Sequence, residues 1–204
     1  MKQIIQLFHN LIGKETKPGG GMQRHKTDSG MSPAADLSRF GTEQQNEPAA
    51  QTLDRQTLEK SVNESLSKGL KTGSLLVCDV DKCREINDIY GYDAGDAALA
   101  NVADVLRSVF GGDIRFGSFG GDVFALWLPT ASRNSEGDIR RKVGIVNDRL
   151  LHPAGELPPV SVSVGAAFYI TDDDCKSLVK RAYKALYLVK EGGRCGFEVW
   201  QQQL

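Results

Sequence analysis

The segment Ile114-Arg-Phe-Gly-Ser-Phe-Gly-Gly-Asp-Val-Phe-Ala-Leu-Trp-Leu128 contains two strand-like runs separated by a pair of glycines. Apolar and aromatic residues dominate the runs 114–118 and 123–128, which is typical of strands. Gly120 and Gly121 favour a tight hairpin turn, because glycine adopts the positive φ values that such turns need. The glycine pair alone would indicate only an ordinary turn. The two runs therefore predict adjacent antiparallel strands of one sheet.

Helical and strand patterns alternate on both sides of this hairpin. Valine alternates with serine or glycine over residues 160–165, which is a clear strand signal. The predicted helices cover residues 57–70, 82–90, 94–110, 135–151 and 175–190, and the further predicted strands cover 74–79, 160–168 and 196–200. This order predicts an α/β fold in which helices flank a mixed sheet.

The composition excludes several classes of protein. The 204 residues, 40% of them apolar, suffice for one ordinary domain with a tail, and the net charge of −1 predicts no nucleic-acid-binding surface. The four cysteines form no C-x-x-C pair and lie far in sequence from the three histidines, so we expect neither a zinc site nor a disulfide scaffold. No apolar run approaches the ~20 residues that are needed to span a bilayer. Together with cysteines that we expect to be reduced, this predicts a cytoplasmic protein.

Three regions follow one another along the chain. Residues 1–13 predict an amphipathic helix with its apolar side chains on one face. Residues 14–46 predict a flexible linker, because glycine, proline and polar residues dominate there, and residues 47–204 carry the α/β domain. We expect the helix to dock on a protein partner or on its own domain. Peripheral attachment to a membrane surface is the alternative.

Acidic residues end one predicted strand and follow the glycine turn. Asp79 and Asp81 stand at i and i+2 after an apolar run, so both carboxylates point to one side, where a helix begins. Asp122 would approach Asp79 across the sheet, and two oxygen donors suit Mg²⁺ held together with a phosphate chain. For Asp81 the favoured interpretation is a helix N-cap rather than a metal ligand.

Two further pairs of polar residues suit a nucleotide. Asn87 and Asp96 face one pocket if the chain turns at Gly91, where an amide and a carboxylate can bind the edge of guanine. The alternative is an ordinary turn with a helix cap. Lys190 and Arg194 lie four residues apart near a helix end, where they either clamp phosphates or only complement the helix dipole.

The order and spacing of these segments resemble the GGDEF family of diguanylate cyclases over residues 47–200. The matching segments are Asp79-x-Asp81, Ile86-Asn-Asp88, Gly91-x-x-x-Gly-Asp96, Gly120-Gly-Asp122, Ser161-Val-Ser-Val-Gly165 and Lys190-x-x-Gly-Arg194. The resemblance implies a palm-like α/β fold that binds GTP and Mg²⁺. It also implies a homodimer in which each 3′-hydroxyl attacks the partner's α-phosphate, giving cyclic di-GMP and pyrophosphate.

The resemblance also implies roles for individual residues. Asp79 and Asp122 would be catalytic metal ligands, assisted by the Val80 carbonyl. The guanine-binding residues would be Asn87 and Asp96, with Gly120 and Gly121 against the nucleotide. The residues Lys190, Arg194 and Arg84 would bind the phosphates.

Several positions depart from the family pattern. Val123 stands where the signature has an acid, and valine can neither ligate a metal nor accept a proton. Cys83 and Arg84 replace the usual Phe and Lys, Ser118 replaces an Arg, and the opening segment 47–55 has lost most of its motif. The product-inhibition motif Arg-x-x-Asp would span residues 111–114, where Gly111 and Ile114 stand in the places of its Arg and Asp, so we expect that site to be absent.

Two hypotheses follow from these departures. The favoured one is a GTP- and Mg²⁺-binding domain that is weakly active or inactive and regulatory, as the loss of the acid at Val123 indicates. The alternative is an active diguanylate cyclase that tolerates valine there.

Overall fold

The computed structural model describes residues 52–201, so the helix and the linker predicted for residues 1–46 lie outside the described part. The helices are α1 (Arg55–Ser67), α2 (Cys83–Tyr90), α3 (Tyr92–Phe110), α4 (Glu136–Leu151) and α5 (Cys175–Glu191). The strands are β1 (Ser74–Val80), β2 (Arg115–Gly120), β3 (Val123–Leu128), β4 (Val162–Phe168) and β5 (Phe197–Val199). Among these residues, no helix is long and apolar enough to cross a membrane.

The strands form one mixed sheet in the order β2-β3-β1-β4-β5. The central strand β1 pairs antiparallel with β3 and β4, whereas β5 joins β4 in parallel. The predicted hairpin is the β2–β3 pair at one edge of the sheet, and its register shifts between Ser118 and Gly120. A mixed sheet flanked by helices is the predicted fold class, which is thereby confirmed.

Helices cover both faces of the sheet, and the alternation along β1 supplies an apolar layer to each. Leu76 and Cys78 pack into a cluster with residues of α2, α3 and α4. Leu75 and Val77 pack into a second cluster with residues of α1 and α5. Because side chains alternate with a period of two along a strand, Asp79 follows Val77 onto the face covered by α5.

The approach of α5 to the sheet depends on one glycine. A β carbon on Gly165, in β4, would overlap with the main chain of Ala182 and Leu186. Glycine therefore lets the α5 backbone lie directly against the sheet, beside Val77, the β1 residue paired with Gly165. This packing fixes where the last turns of α5, and Lys190 with them, reach the end of β1.

The observed element boundaries differ from the predicted ones by up to three residues. Helix α1 begins at Arg55 because the Asp54 carboxylate accepts a hydrogen bond of 2.8 Å from the Thr57 amide. Helix α2 begins at Cys83 rather than at Lys82, which lies before the first turn with a left-handed φ of 58°. Such shifts are common at element ends, where local signals overlap.

Candidate functional site

The carboxylate of Asp79 lies at the end of the central strand, beneath the last turn of α5. The Lys190 ammonium approaches Asp79 Oδ1 to 2.5 Å, and the side chains are 32% and 16% exposed, respectively. Desolvation by burial raises the pKa of Asp79, the carboxylates of Asp122 and Asp81 add to the rise, and Lys190 opposes it. The raised pKa means that the negative charge at this position is only partly compensated by the protein itself.

Asp122 and Val80 lie beside Asp79 at the same end of the central strand. The main-chain carbonyl of Asp122 accepts a hydrogen bond of 3.0 Å from the Val80 amide, which holds the turn against β1. Asp79 is paired with Val123, the residue that follows Asp122, and the Asp122 carboxylate helps to raise the pKa of Asp79. The three groups predicted as metal ligands therefore come from one small region of the sheet.

The donor set at this edge fits Mg²⁺ bound together with a phosphate chain. Within residues 52–201, no three His, Cys, Asp or Glu side chains are grouped so as to hold a metal ion. A site built only from protein side chains would therefore be incomplete in this part of the chain. Mg²⁺ commonly uses one or two carboxylates and completes its shell with substrate phosphates and water. Asp79 and Asp122 supply such a pair.

Val123 lies directly opposite Asp79 on the neighbouring strand. Its half-buried side chain packs against the second core cluster, on the face covered by α5. Residues directly opposed across an antiparallel pair have β carbons about 4.5–5.5 Å apart. An acidic side chain at position 123 would thus stand beside Asp79, whereas valine contributes only apolar surface there.

The glycine turn leaves open space where a ligand could approach. Gly120 and Gly121 have φ values of 101° and 57°, which other residues rarely adopt. A β carbon on either would meet nothing within 4 Å. The turn needs glycine for its backbone conformation, and no other described residue fills the space beside the two α carbons.

Asn87 and Asp96 lie on the two helices that follow β1. A β carbon on Gly95, one residue before Asp96, would overlap with the Asn87 side chain, so the two helices meet at this point. Burial raises the pKa of Cys83, and the carboxylates of Asp122, Asp79 and Asp96 all raise it further. The negative charges of the two predicted metal ligands and of Asp96 therefore all act on Cys83, in the first turn of α2.

The two predicted phosphate-binding arginines lie on either side of this region. Arg84 is exposed in the first turn of α2, and Arg194 is exposed in the loop after α5. The Arg194 amide donates a hydrogen bond of 2.9 Å to the Val189 carbonyl, which folds the loop back on the end of α5. Of the predicted phosphate-binding residues, the structure brings Lys190 into contact with an acidic residue of the site.

The N-cap interpretation of Asp81 is wrong. Lys82 occupies the N-cap position of α2 without a side-chain hydrogen bond. The Asp81 carboxylate instead accepts hydrogen bonds from Ser161 Oγ at 2.8 Å, Ser163 Oγ at 2.7 Å and the Cys195 amide at 3.1 Å. Those donors outweigh a local cap because they satisfy a carboxylate that is only 5% exposed.

The sequence patterns missed Tyr183. Its pKa rises to about 12, chiefly through burial, with contributions from the Asp79 and Asp122 carboxylates. Its side chain packs against the second core cluster, on the face of the sheet that also carries Val123. Its spacing of seven residues from Lys190 places both on one face of α5, and this spacing was the available signal.

Comparison with known sequences places most of the chain in one family. Residues 48–195 match the family described as Diguanylate cyclase, GGDEF domain. Diguanylate cyclase DosC from Shigella sonnei is 32% identical over 158 residues, which cover 74% of this chain and 34% of that protein. The chain thus spans about a third of the length of curated relatives such as DosC.

Solved structures agree with the fold. The active GGEEF domain of a diguanylate cyclase from Vibrio cholerae matches with a TM-score of 0.67 and 23% identity, over 75% of this chain and all 100% of that one. Diguanylate cyclase SiaD from Pseudomonas aeruginosa, solved in complex with its activator SiaC, matches with a TM-score of 0.66 and 27% identity, over 75% and 60% of the two chains. Because the family match covers residues 48–195 and the solved structures share the fold, this chain belongs to the GGDEF domain family of diguanylate cyclases.

Proposed function

We propose that this domain binds GTP together with Mg²⁺, makes little or no cyclic di-GMP, and has a regulatory role in cyclic di-GMP signalling. The observation that carries the proposal is the pairing of Val123 with Asp79. The family's acid would stand beside the metal ligands at this position, and valine there supplies neither charge nor a proton acceptor. The binding residues are retained although this group is missing.

Different groups of the retained residues would bind the metal ion, the guanine base and the phosphate chain. Asp79, Asp122 and the Val80 carbonyl would hold Mg²⁺, which neutralises phosphate charge when it is bound. The guanine edge would lie between Asn87 and Asp96, near the meeting point of α2 and α3. The phosphate chain would pass the open Gly120-Gly121 turn, within reach of the cationic residues Lys190, Arg194 and Arg84.

An active diguanylate cyclase is the second candidate. The observation that favours it is the contact between Lys190 and Asp79, which keeps a cation beside the metal ligand. Activity would need a second copy of the domain, because each GTP supplies the hydroxyl that attacks the other. Residues 1–13 remain a candidate for bringing copies or a protein partner together.

Calorimetry with the full chain tests the proposed binding. In the presence of Mg²⁺, we expect GTP to bind more tightly than ATP, because an acid and an amide recognise the guanine edge. Asp96→Ala should weaken GTP binding by roughly 1–3 kcal/mol, the cost of leaving a polar group unpaired. Asp93→Ala, in the exposed first turn of α3, is the matched control and should keep the preference for GTP. Equal binding of ATP and GTP by the parent chain would refute the proposal.

A methyl group placed at Gly95 should have a similar effect without removing any polar atom. Gly95→Ala would push the Asn87 side chain away, since the new β carbon overlaps with it. We expect GTP affinity to fall about tenfold, equivalent to one lost hydrogen bond.

Gly144→Ala is the control for this change. Gly144 lies on α4, where a β carbon meets nothing within 4 Å, so the helix should gain stability and GTP binding should not change. Unaltered GTP affinity in a folded Gly95→Ala variant would remove Asn87 from the guanine-binding role.

A further inference from the structure

Asp81 connects three separate parts of the chain. Its carboxylate is 5% exposed and accepts hydrogen bonds from Ser161 and Ser163 at the beginning of β4. Its third bond comes from the main-chain amide of Cys195, in the loop that follows α5. Its own amide donates to the Ser161 carbonyl at 2.8 Å. With three donors bound, this carboxylate is engaged by the protein itself.

The loop that Asp81 holds has an unusual backbone. Arg194 and Cys195 have φ values of 68° and 49°, in the left-handed region that non-glycine residues seldom occupy. Two successive residues in this region persist only when their surroundings hold them there. The Arg194 amide bonds to the Val189 carbonyl, and the next amide, that of Cys195, bonds to Asp81. The main chain of Arg194 is therefore fixed on both sides.

We propose that Asp81 is the positioning residue for Arg194, holding the guanidinium over the phosphate chain. Asp81 follows the metal ligand Asp79 by two residues, so one short segment carries both the ligand and the anchor of the loop. The anchor sets the distance between Arg194 and the end of β1 that carries Asp79, although Asp81 and the loop residue Cys195 are 114 residues apart in the chain. The proposal rests on the proposed function, in which Arg194 binds phosphate.

A double-mutant cycle on the full chain tests this role, with the affinity for Mg²⁺-GTP as the readout. Asp81→Ala should weaken GTP binding about tenfold, the lower end of the effect of removing a residue that orients a ligand-binding group. In the background of Arg194→Ala, the same change should have no further effect, because the residue through which Asp81 acts is gone. A general loss of packing would weaken binding equally in both backgrounds.

Asp81→Asn extends the test to a variant of nearly unchanged shape. Its carbonyl oxygen can still accept from Cys195, but without charge, so we expect a loss of about threefold that also vanishes with Arg194→Ala. Should Asp81→Ala fail to fold, this variant decides the question.

Asn147→Ala is the matched control. Asn147 is 6% exposed and bonds to the main chain of Val162, at the start of the same strand. It should lower the melting temperature and leave GTP affinity unchanged. Additive losses in the cycle, or unchanged GTP affinity in folded Asp81 variants, would overturn the positioning role alone. A parent chain that binds no GTP would overturn both this role and the proposed function.

Discussion

Val123→Glu should raise the rate of cyclic di-GMP formation by about 10²–10⁴-fold, the usual effect of one acid–base group. Position 123 lies opposite Asp79 in the β1–β3 register, so the new carboxylate would lie beside Asp79 and Asp122, the two proposed metal ligands. A third acid in this place supplies the charge and the proton acceptor that valine lacks. The measurement is product formation from GTP and Mg²⁺, with both chains dimerised through a fused coiled coil.

Val123→Gln is the matched control for this gain. Glutamine has the size of glutamate but carries no charge, so it should leave the rate at the level of the parent chain. An equal gain in both variants would mean that polarity or loosened packing, and not a carboxylate, is responsible. No gain in the glutamate variant would contradict the prediction and direct attention to Cys83, Arg84 and the altered opening segment.

Asp79→Asn should abolish most Mg²⁺-dependent GTP binding and still yield a more stable protein without ligand. Removing one of the two carboxylates that are proposed to hold the metal should weaken binding at least about tenfold. Burial and the neighbouring carboxylates raise the pKa of Asp79 in the folded protein. The folded state therefore binds this proton more tightly than the unfolded chain, and the charged form of Asp79 costs stability at neutral pH.

The pH dependence of this difference follows from the sign of the pKa shift. At pH 7.5 the asparagine variant should melt at a higher temperature than the parent. Its advantage should shrink as the pH falls through the raised pKa of Asp79 and vanish below the pKa of the unfolded chain. Saturating Mg²⁺-GTP should reverse the order, because the ligand stabilises only the parent.

The control for this variant is Asp93→Asn, an exposed acid in the first turn of α3. It should leave GTP affinity unchanged. A lower melting temperature for Asp79→Asn at neutral pH, without ligand, would show that its ion pair with Lys190 outweighs the cost of burial.

The sequence patterns were sufficient for the fold because its signals are local. The glycine pair at 120–121 marks the hairpin, and the apolar run before Asp79 marks the central strand. Each of these two signals can be recognised from a few consecutive residues. The packing of α5 on β4 could not be predicted from local patterns, because it depends on Gly165 fitting against main-chain atoms of a helix some twenty residues later.

The parts of the site that the patterns missed depend on distant partners. Asp81 has a local interpretation as a cap, but its actual donors are 80 to 114 residues away in the chain. The missing acid at Val123 is evident from the sequence, but its position directly opposite Asp79 depends on the strand register. Propensity and motif spacing cannot supply either relation, because both arise from tertiary structure.

The most direct test of the account is the identity of the nucleotide recovered from the parent chain. The full chain, dimerised through a fused coiled coil, is incubated with Mg²⁺ and GTP for hours, and the bound and free nucleotides are then separated and identified by chromatography. We predict that GTP is recovered intact in the bound fraction, with little or no cyclic di-GMP. Conversion of the GTP to cyclic di-GMP over many turnovers, or a bound fraction without guanine nucleotide, would contradict the account.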